Sequence, residues 1–388
     1  MAFASLLFSF DALFIERHHI AAGYGDYVIF YSGAQMVANG DSRRLYDLGL
    51  QRRYQEKFAV PIRVDALPFN HPAYELLWHI PLTSLNYLSA YIIWNGANLI
   101  FLIALARWFV PSESASVRIM CWLMVFGFYP VLVVILQGQD SILLTFLIGA
   151  SIVALKKKKE RVAGVLLAMA SFKPQFVIPV ALAWVCKPYW KAIGAWLMTI
   201  TILVLISVAM VGIAGTQQYL QLLSWIDNTH YTINPLLMPN LRGLVFVALG
   251  PQFPTTSLLI TATLTVGAFV YLVHLWRNSE IVDETVFEMV MALTVSLAIL
   301  TSYHAYSHDL ALLLLPALIV ARFFFSAPNG GPIPILLFGT ILLLWVPFPF
   351  TYGHLLQREM LAWGGLIIAF FSLLLTRQIR LKNSPIQA

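Results

Sequence analysis

The run Ser141-Ile142-Leu143-Leu144-Thr145-Phe146-Leu147-Ile148-Gly149-Ala150-Ser151-Ile152-Val153-Ala154-Leu155, followed at once by Lys156-Lys157-Lys158-Lys159-Glu160-Arg161, decides how this chain is read. No charge interrupts the first part, and the second is a block of cations. Such a junction marks a segment that enters hydrocarbon and halts at the anionic cytoplasmic surface, because short Lys- and Arg-rich loops stay inside. The turn before the run, Gln137-Gly138-Gln139-Asp140, then falls on the outer side.

Further apolar runs occupy residues 84–109, 117–136, 192–213, 255–276, 285–300, 310–325, 332–346 and 359–375. Crossing a hydrocarbon core of ~30 Å takes about 20 apolar residues. With 60% apolar and only 11% charged residues, the chain reads as an all-α polytopic membrane protein. We expect one transmembrane domain over 1–388, a helical bundle of about ten crossings. A shorter run, 2–15, carries Asp11 and reads as a shortened first span, since it lacks the basic lead and cleavage pattern of a signal peptide. Cys121 and Cys186 both fall in apolar runs, which leaves no disulfide framework and no paired-cysteine metal site.

Alternation from the fixed loop puts Arg107, Arg118, Arg277, Arg322 and the tail residues Arg377, Arg380 and Lys382 inside, with both termini cytoplasmic. The count closes if the segment 162–186 does not cross. It lies between two basic loops and is interrupted by Lys173-Pro174, where proline removes a helix hydrogen bond. Each half is then about a dozen residues, too short to span. The expectation is a re-entrant hairpin with Lys173 at its tip; the alternative is one kinked crossing.

The outer face collects residues 16–83, 137–140, 215–240, 303–309 and 348–358. The first of these is the longest connection, and loops of that length are usually functional. Within it, 26–37 reads as a helix with Asp26 at its start, where an acid suits the dipole, and 48–58 as a second, more polar one. Helices lying on the membrane surface suit such a loop. The net charge of +6 belongs to loops facing anionic lipid, so nucleic acid is not an expected partner.

Gly25-Asp26-Tyr27 with Phe30-Tyr31, then Leu45-Tyr46-Asp47 and Phe69-Asn70-His71-Pro72, resemble the first outer loop of glycosyltransferase family 87. Gln137-Gly138-Gln139, Ala163-Gly164, Lys173-Pro174, Asn240 with Arg242-Gly243, and Ser307-His308-Asp309 follow in that family's order. The family often has Tyr-Pro-Pro where this chain has Asn70-His71-Pro72. The resemblance implies a C-type glycosyltransferase-like bundle in a bacterial plasma membrane. It also implies transfer of a hexose, mannose first, from a polyprenyl-phosphate donor to a lipid or glycan acceptor on the extracytoplasmic face. No metal and no cofactor is implied, and the absence of a nucleotide-binding signature agrees with a lipid-carried donor.

An inverting displacement at the anomeric carbon needs a carboxylate to take the acceptor proton and a donor group to hold the departing phosphate. Asp26 is the candidate base, against the alternative that it only caps its helix. Lys173, whose place inside an apolar segment is costly and asks for a partner, is the candidate phosphate ligand, against snorkelling to a lipid headgroup. His308, matched to the family histidine, and Arg242, whose guanidinium suits phosphate, join it. His71, Gln139, Asn240 and His304 are candidate substrate contacts. His304 and His308 are spaced to share a helix face, but no third metal ligand accompanies them. The rival functions are a secondary transporter or flippase, for which no internal repeat is visible, and a non-catalytic lipid-binding protein.

Overall fold

The computed structural model describes residues 2–23, 25–59, 67–110, 114–229, 231, 233–278, 284–326, 335–337, 339–340 and 360–383. All regular structure among them is helical. The helices used below are α1 (Ala2–Ala21), α2 (Tyr27–Ala38), α3 (Leu48–Gln55), α4 (Tyr87–Phe109), α5 (Ala115–Phe126), α6 (Tyr129–Gln137) and α7 (Ser141–Lys156). After them come α8 (Glu160–Met169), α9 (Pro174–Cys186), α10 (Trp190–Thr229), α11 (Leu241–Leu249), α12 (Pro254–Asn278), α13 (Glu284–Leu300) and α14 (Leu314–Ser326), with a last helix at Met360–Asn383.

The expected run 2–15 belongs to a helix that continues to Ala21. The run 117–136 divides into α5 and α6, bent by 42°, at Gly127-Phe128 and just ahead of Pro130. The outer segment expected over 215–240 is helical as far as Thr229, because α10 continues past a break at Gly212 (φ 72°). Residues 162–186 form two helices, α8 and α9, with Lys173 at the start of the second. Most of the run 332–346, and all of the segment 348–358, lie outside the described residues.

By length and apolarity α4, α10 and α12 can each cross a membrane, and the bent pair α5–α6 makes a fourth if it is one broken span rather than a re-entrant loop. The about ten crossings read from sequence include runs that form helices shorter than a full span, such as α7, with 16 residues, and α14, with 13. The candidate spans keep apolar faces uncovered: Ile92, Ile93 and Ile100 on α4, Leu197, Met198 and Leu205 on α10, Leu259, Val266 and Val270 on α12. Apolar surface on this scale belongs against lipid. In contrast α13 is buried from Val286 through Leu300, and α7 nearly throughout. Close helix contact inside the bundle uses small residues: a Cβ on Gly164 of α8 would collide with the Ala192 carbonyl oxygen of α10.

The central helices have chemically different ends. At one end of α7, Lys156 pairs with Glu284 at 2.5 Å and with the buried Glu288, which also binds Arg322 of α14. At its other end Ser141 Oγ donates to Asp309 Oδ1 at 3.0 Å, just ahead of α14. Sixteen residues at about 1.5 Å each separate these clusters by roughly 24 Å.

Candidate functional site

At the Ser141 end the helices and the first loop enclose a cavity of about 380 Å³ lined by Asp26, Asn70, His71, Gln139, Lys173, Gln175, Tyr219, His304, Tyr306, His308 and Asp309 among others. Its loop wall is set by α3. Gln51 donates to the Leu45 carbonyl at 2.7 Å and accepts from the Phe69 N–H at 2.8 Å, while Gln55 bonds both the carbonyl and the N–H of Leu67. The Tyr46 hydroxyl donates to the His71 carbonyl at 3.0 Å. Backbone without a helix or sheet partner is thereby satisfied by side chains, which holds an irregular segment in one place.

Asp26 stands at the N-cap position of α2 but makes no capping hydrogen bond. Instead its Oδ2 accepts from Gln139 Nε2 at 2.8 Å. Two glycines permit this contact across 113 positions of sequence. Gly138 adopts φ +66°, and a Cβ there would stand 2.5 Å from Tyr27 Cβ. A Cβ on Gly25 would come within 3.1 Å of the Leu136 and Gln137 carbonyl oxygens. Backbone in the left-handed region with so close a neighbour admits glycine alone without strain.

Lys173 is enclosed, with its Nζ 2.6 Å from Asp140 Oδ1, 2.7 Å from Asp309 Oδ1 and 3.0 Å from Ser141 Oγ. Burial opposes ionisation of Asp140, yet Lys173, together with Glu75 and His71, outweighs it and holds the carboxyl down to about 2. Asp309 is likewise held well below the usual range: burial is overcome first by His308, then by Lys173, and its Oδ2 accepts the Tyr306 N–H at 3.0 Å. His308 sets Nδ1 against Gln137 Oε1 at 2.9 Å and Nε2 against Asp309 Oδ2 at 3.4 Å. Burial lowers His308, and pushes His304 down to about 4.

On the loop side His71 Nδ1 lies 2.6 Å from Glu75 Oε2 and 3.8 Å from Asp140 Oδ2. Burial pushes the Glu75 carboxyl up to about 8 against the pull of His71. For His71 burial works downward, and the charges of Glu75 and Asp140 outweigh it, so the imidazole is raised. The charge of Asp140 and a hydrogen bond with it add to the upward push on Glu75, so the two neighbouring carboxyls are driven apart, Glu75 up and Asp140 down. His71, Glu75 and Asp140 bring potential ligand atoms within 4.8 Å of one another, the one such convergence among the described residues. The Lys173 ammonium already supplies positive charge to Asp140 there.

Of the eight residues singled out from sequence, Asp26, His71, Gln139, Lys173, His304 and His308 line the cavity. Asn240 and Arg242 do not. The Asn240 side chain caps α11 through the Gly243 N–H at 3.0 Å and donates to the Ser302 carbonyl at 2.9 Å. Arg242 lies over the Tyr303 ring and donates to that residue's carbonyl at 3.2 Å. Sequence reasoning passed over Glu75, Asp140 and Tyr219. The four-residue spacing from His71 to Glu75 was the available signal for the first, and for Asp140 an acid at the very edge of an apolar run. Tyr219 lay in a stretch read as loop.

The start of α9 also meets the cavity through Lys173, Pro174 and Gln175, giving it the positive end of a helix dipole. The model of glycosyltransferase family 87 matches residues 69–302. The chain belongs to glycosyltransferase family 87. It is therefore a membrane glycosyltransferase, with a sugar donor and an acceptor as substrates. Neither the curated proteins nor the solved structures contain a match to this family 87 enzyme. His71, Gln139 and Lys173 fall within the matched stretch, whereas Asp26, His304, His308 and Asp309 flank it and owe their place in the site to the geometry above.

Proposed function

We propose that this enzyme moves a hexose, mannose in the first instance, from a polyprenyl-phosphate donor to a lipid or glycan acceptor at the extracytoplasmic face, with inversion. The observation that carries the reading is Asp26: a carboxylate on the cavity wall, unused as a cap, oriented by one amide and free of any cation among the described residues. Such a group can accept a proton from an acceptor hydroxyl as that oxygen attacks the anomeric carbon. The bond from that carbon to the phosphate oxygen breaks, and its electron pair leaves on the lipid phosphate. Gln139 orients the base. His304, Asn70 and Tyr219, also on the wall, suit sugar hydroxyls. Lys173, His308 and the start of α9 mark the side on which the phosphate rests, and the uncovered faces of α4, α10 and α12 suit a prenyl chain arriving through the bilayer.

The experiment is transfer of label from polyprenyl-phosphate mannose to a panel of lipid acceptors by purified enzyme, wild type against Asp26→Asn. Label moved by the wild type alone supports the reading. Equal transfer by both removes Asp26 from the mechanism, and movement of the lipid across proteoliposomes without label transfer favours a flippase.

A further inference from the structure

The three groups read from sequence as phosphate ligands, Lys173, His308 and Arg242, are all engaged elsewhere. Lys173 divides its ammonium between Asp140 and Asp309. His308 has a partner at each ring nitrogen. Arg242 stacks on Tyr303, away from the cavity. A phosphate arriving in the cavity would have to draw one of these groups away from its existing partner. Doing so at Lys173 would leave buried carboxylates uncompensated, a costly exchange.

His71 is arranged differently. Its Nδ1 is held by Glu75 Oε2 at 2.6 Å, and its ring is fixed between Phe69, stacked at 5.8 Å, and the edge of Phe30 at 5.4 Å. Its Nε2 has no hydrogen-bond partner among the described residues, and the residue lines the cavity. A carboxylate behind one imidazole nitrogen fixes the tautomer and leaves the other nitrogen to address a ligand. We propose, building on the lipid-phosphate donor reading above, that His71 Nε2–H is the direct hydrogen-bond donor to the phosphate of the donor and of the lipid phosphate left after transfer.

The charged and titratable groups that face His71 come from three directions: Glu75 on its own turn, Asp140 from the turn before α7, and Lys173 from the turn before α9, with His79 farther along the loop. The two carboxylates favour the imidazolium and the ammonium opposes it. An incoming phosphate adds negative charge on the open side, which further favours the imidazolium. During transfer the bond from the anomeric carbon to the phosphate oxygen breaks, and the electron pair settles on an oxygen that Nε2–H already holds. The acceptor proton goes to Asp26, so no other reactant is needed.

The test is equilibrium binding of farnesyl phosphate to the detergent-solubilised full-length enzyme, with farnesol as the uncharged control, across pH. In the wild type farnesyl phosphate binds more tightly than farnesol, and the advantage falls as rising pH strips the imidazolium proton. In His71→Gln the advantage drops about 10- to 100-fold, the worth of a hydrogen bond to a charged group, and loses its pH dependence while farnesol affinity stays. In Glu75→Gln, which removes the carboxylate behind the ring, the falling limb moves to lower pH with farnesol binding unchanged; this variant decides the matter if His71→Gln does not fold. Wild-type affinity and pH profile retained in both variants would overturn the assignment while leaving the donor reading intact. A wild-type enzyme that never prefers farnesyl phosphate to farnesol would overturn both.

Discussion

At the scale of single residues, Asp26 and Lys173 have opposite standing in the fold. Asp26→Asn removes a proton acceptor worth about 10²- to 10⁴-fold in rate. It leaves an isostere that still meets Gln139 and was never needed as a cap, so transfer collapses in the label assay with the melting temperature unchanged. Lys173→Met should unfold the protein more readily by about 3–5 kcal/mol, because two buried carboxylates lose their common cation; a melting temperature equal to wild type would contradict this. Acid should do the same gradually. Asp140 is depressed in the folded state to about 2 from its ordinary 3.8. The stability it contributes is fully present above its unfolded pKa and is lost as pH falls through the folded value. Acid unfolding followed by tryptophan fluorescence should therefore show a component at the low end of this window that Asp140→Asn lacks. Lys173 was visible in the sequence as a charge inside an apolar run, whereas Asp26, an ordinary acid at a helix start, stood out through the family resemblance of Gly25-Asp26-Tyr27. Asp140, Glu75 and Asp309 were harder to see as site residues. Each derives its role from a partner, and the Lys173–Asp309 and Ser141–Asp309 contacts join positions 136 and 168 apart.

At the scale of elements, apolar periodicity revealed helices and concealed their breaks. The run 117–136 contains nothing polar enough to divide it, yet it folds as two helices bent by 42°. The signal was Gly127 with Pro130, a pairing that relaxes and then interrupts helical hydrogen bonding. Likewise Gly212 allowed the polar stretch after it to continue as helix and deliver Tyr219 to the cavity, where polarity alone read as loop. The turn between α6 and α7 joins the two halves of the site, since its backbone runs against Tyr27 while its Gln139 reaches Asp26. Gly138→Ala places a Cβ 2.5 Å from Tyr27 Cβ at φ +66°. The left-handed conformation alone costs about 1–2 kcal/mol, and the collision displaces the turn. Loss of stability accompanied by loss of transfer is expected. Gly96→Ala on α4, where a Cβ would meet nothing within 4 Å, is the control and should lower neither.

At the scale of the whole molecule, α7, α13 and α14 act as a ruler with a label at each end. Lys156, Glu284, Glu288 and Arg322 form an ion-pair cluster at one end. Lys173, Asp140 and Asp309 meet at the other, with the cavity beside them. The basic cluster continues into the Lys157-Lys158-Lys159 turn, and short basic turns are retained in the cytoplasm. On the proposed topology a helix of roughly 24 Å carries its far end most of the way across a ~30 Å core, and the cavity is expected toward the outer leaflet. The same ruler bears on residues 162–186. Helix α8 leaves the basic turn, Lys173 meets Asp140 at the site, and α9 departs along α13 and α12 toward Cys186, which lies within range of the Arg277 charge. Entry and exit on one side, with the tip at the cavity, is therefore the expected path. Single cysteines introduced at Asn70 and Lys158 in a Cys121→Ser, Cys186→Ser background make this testable in intact cells. A membrane-impermeant maleimide should label position 70 from outside, whereas position 158 should react only after the membrane is opened. Lys187→Cys should behave as position 158 does if the segment returns, and as position 70 does if it crosses. Labelling of positions 70 and 158 from the same side would break the link between the two ends of α7 on which the outward-facing site depends.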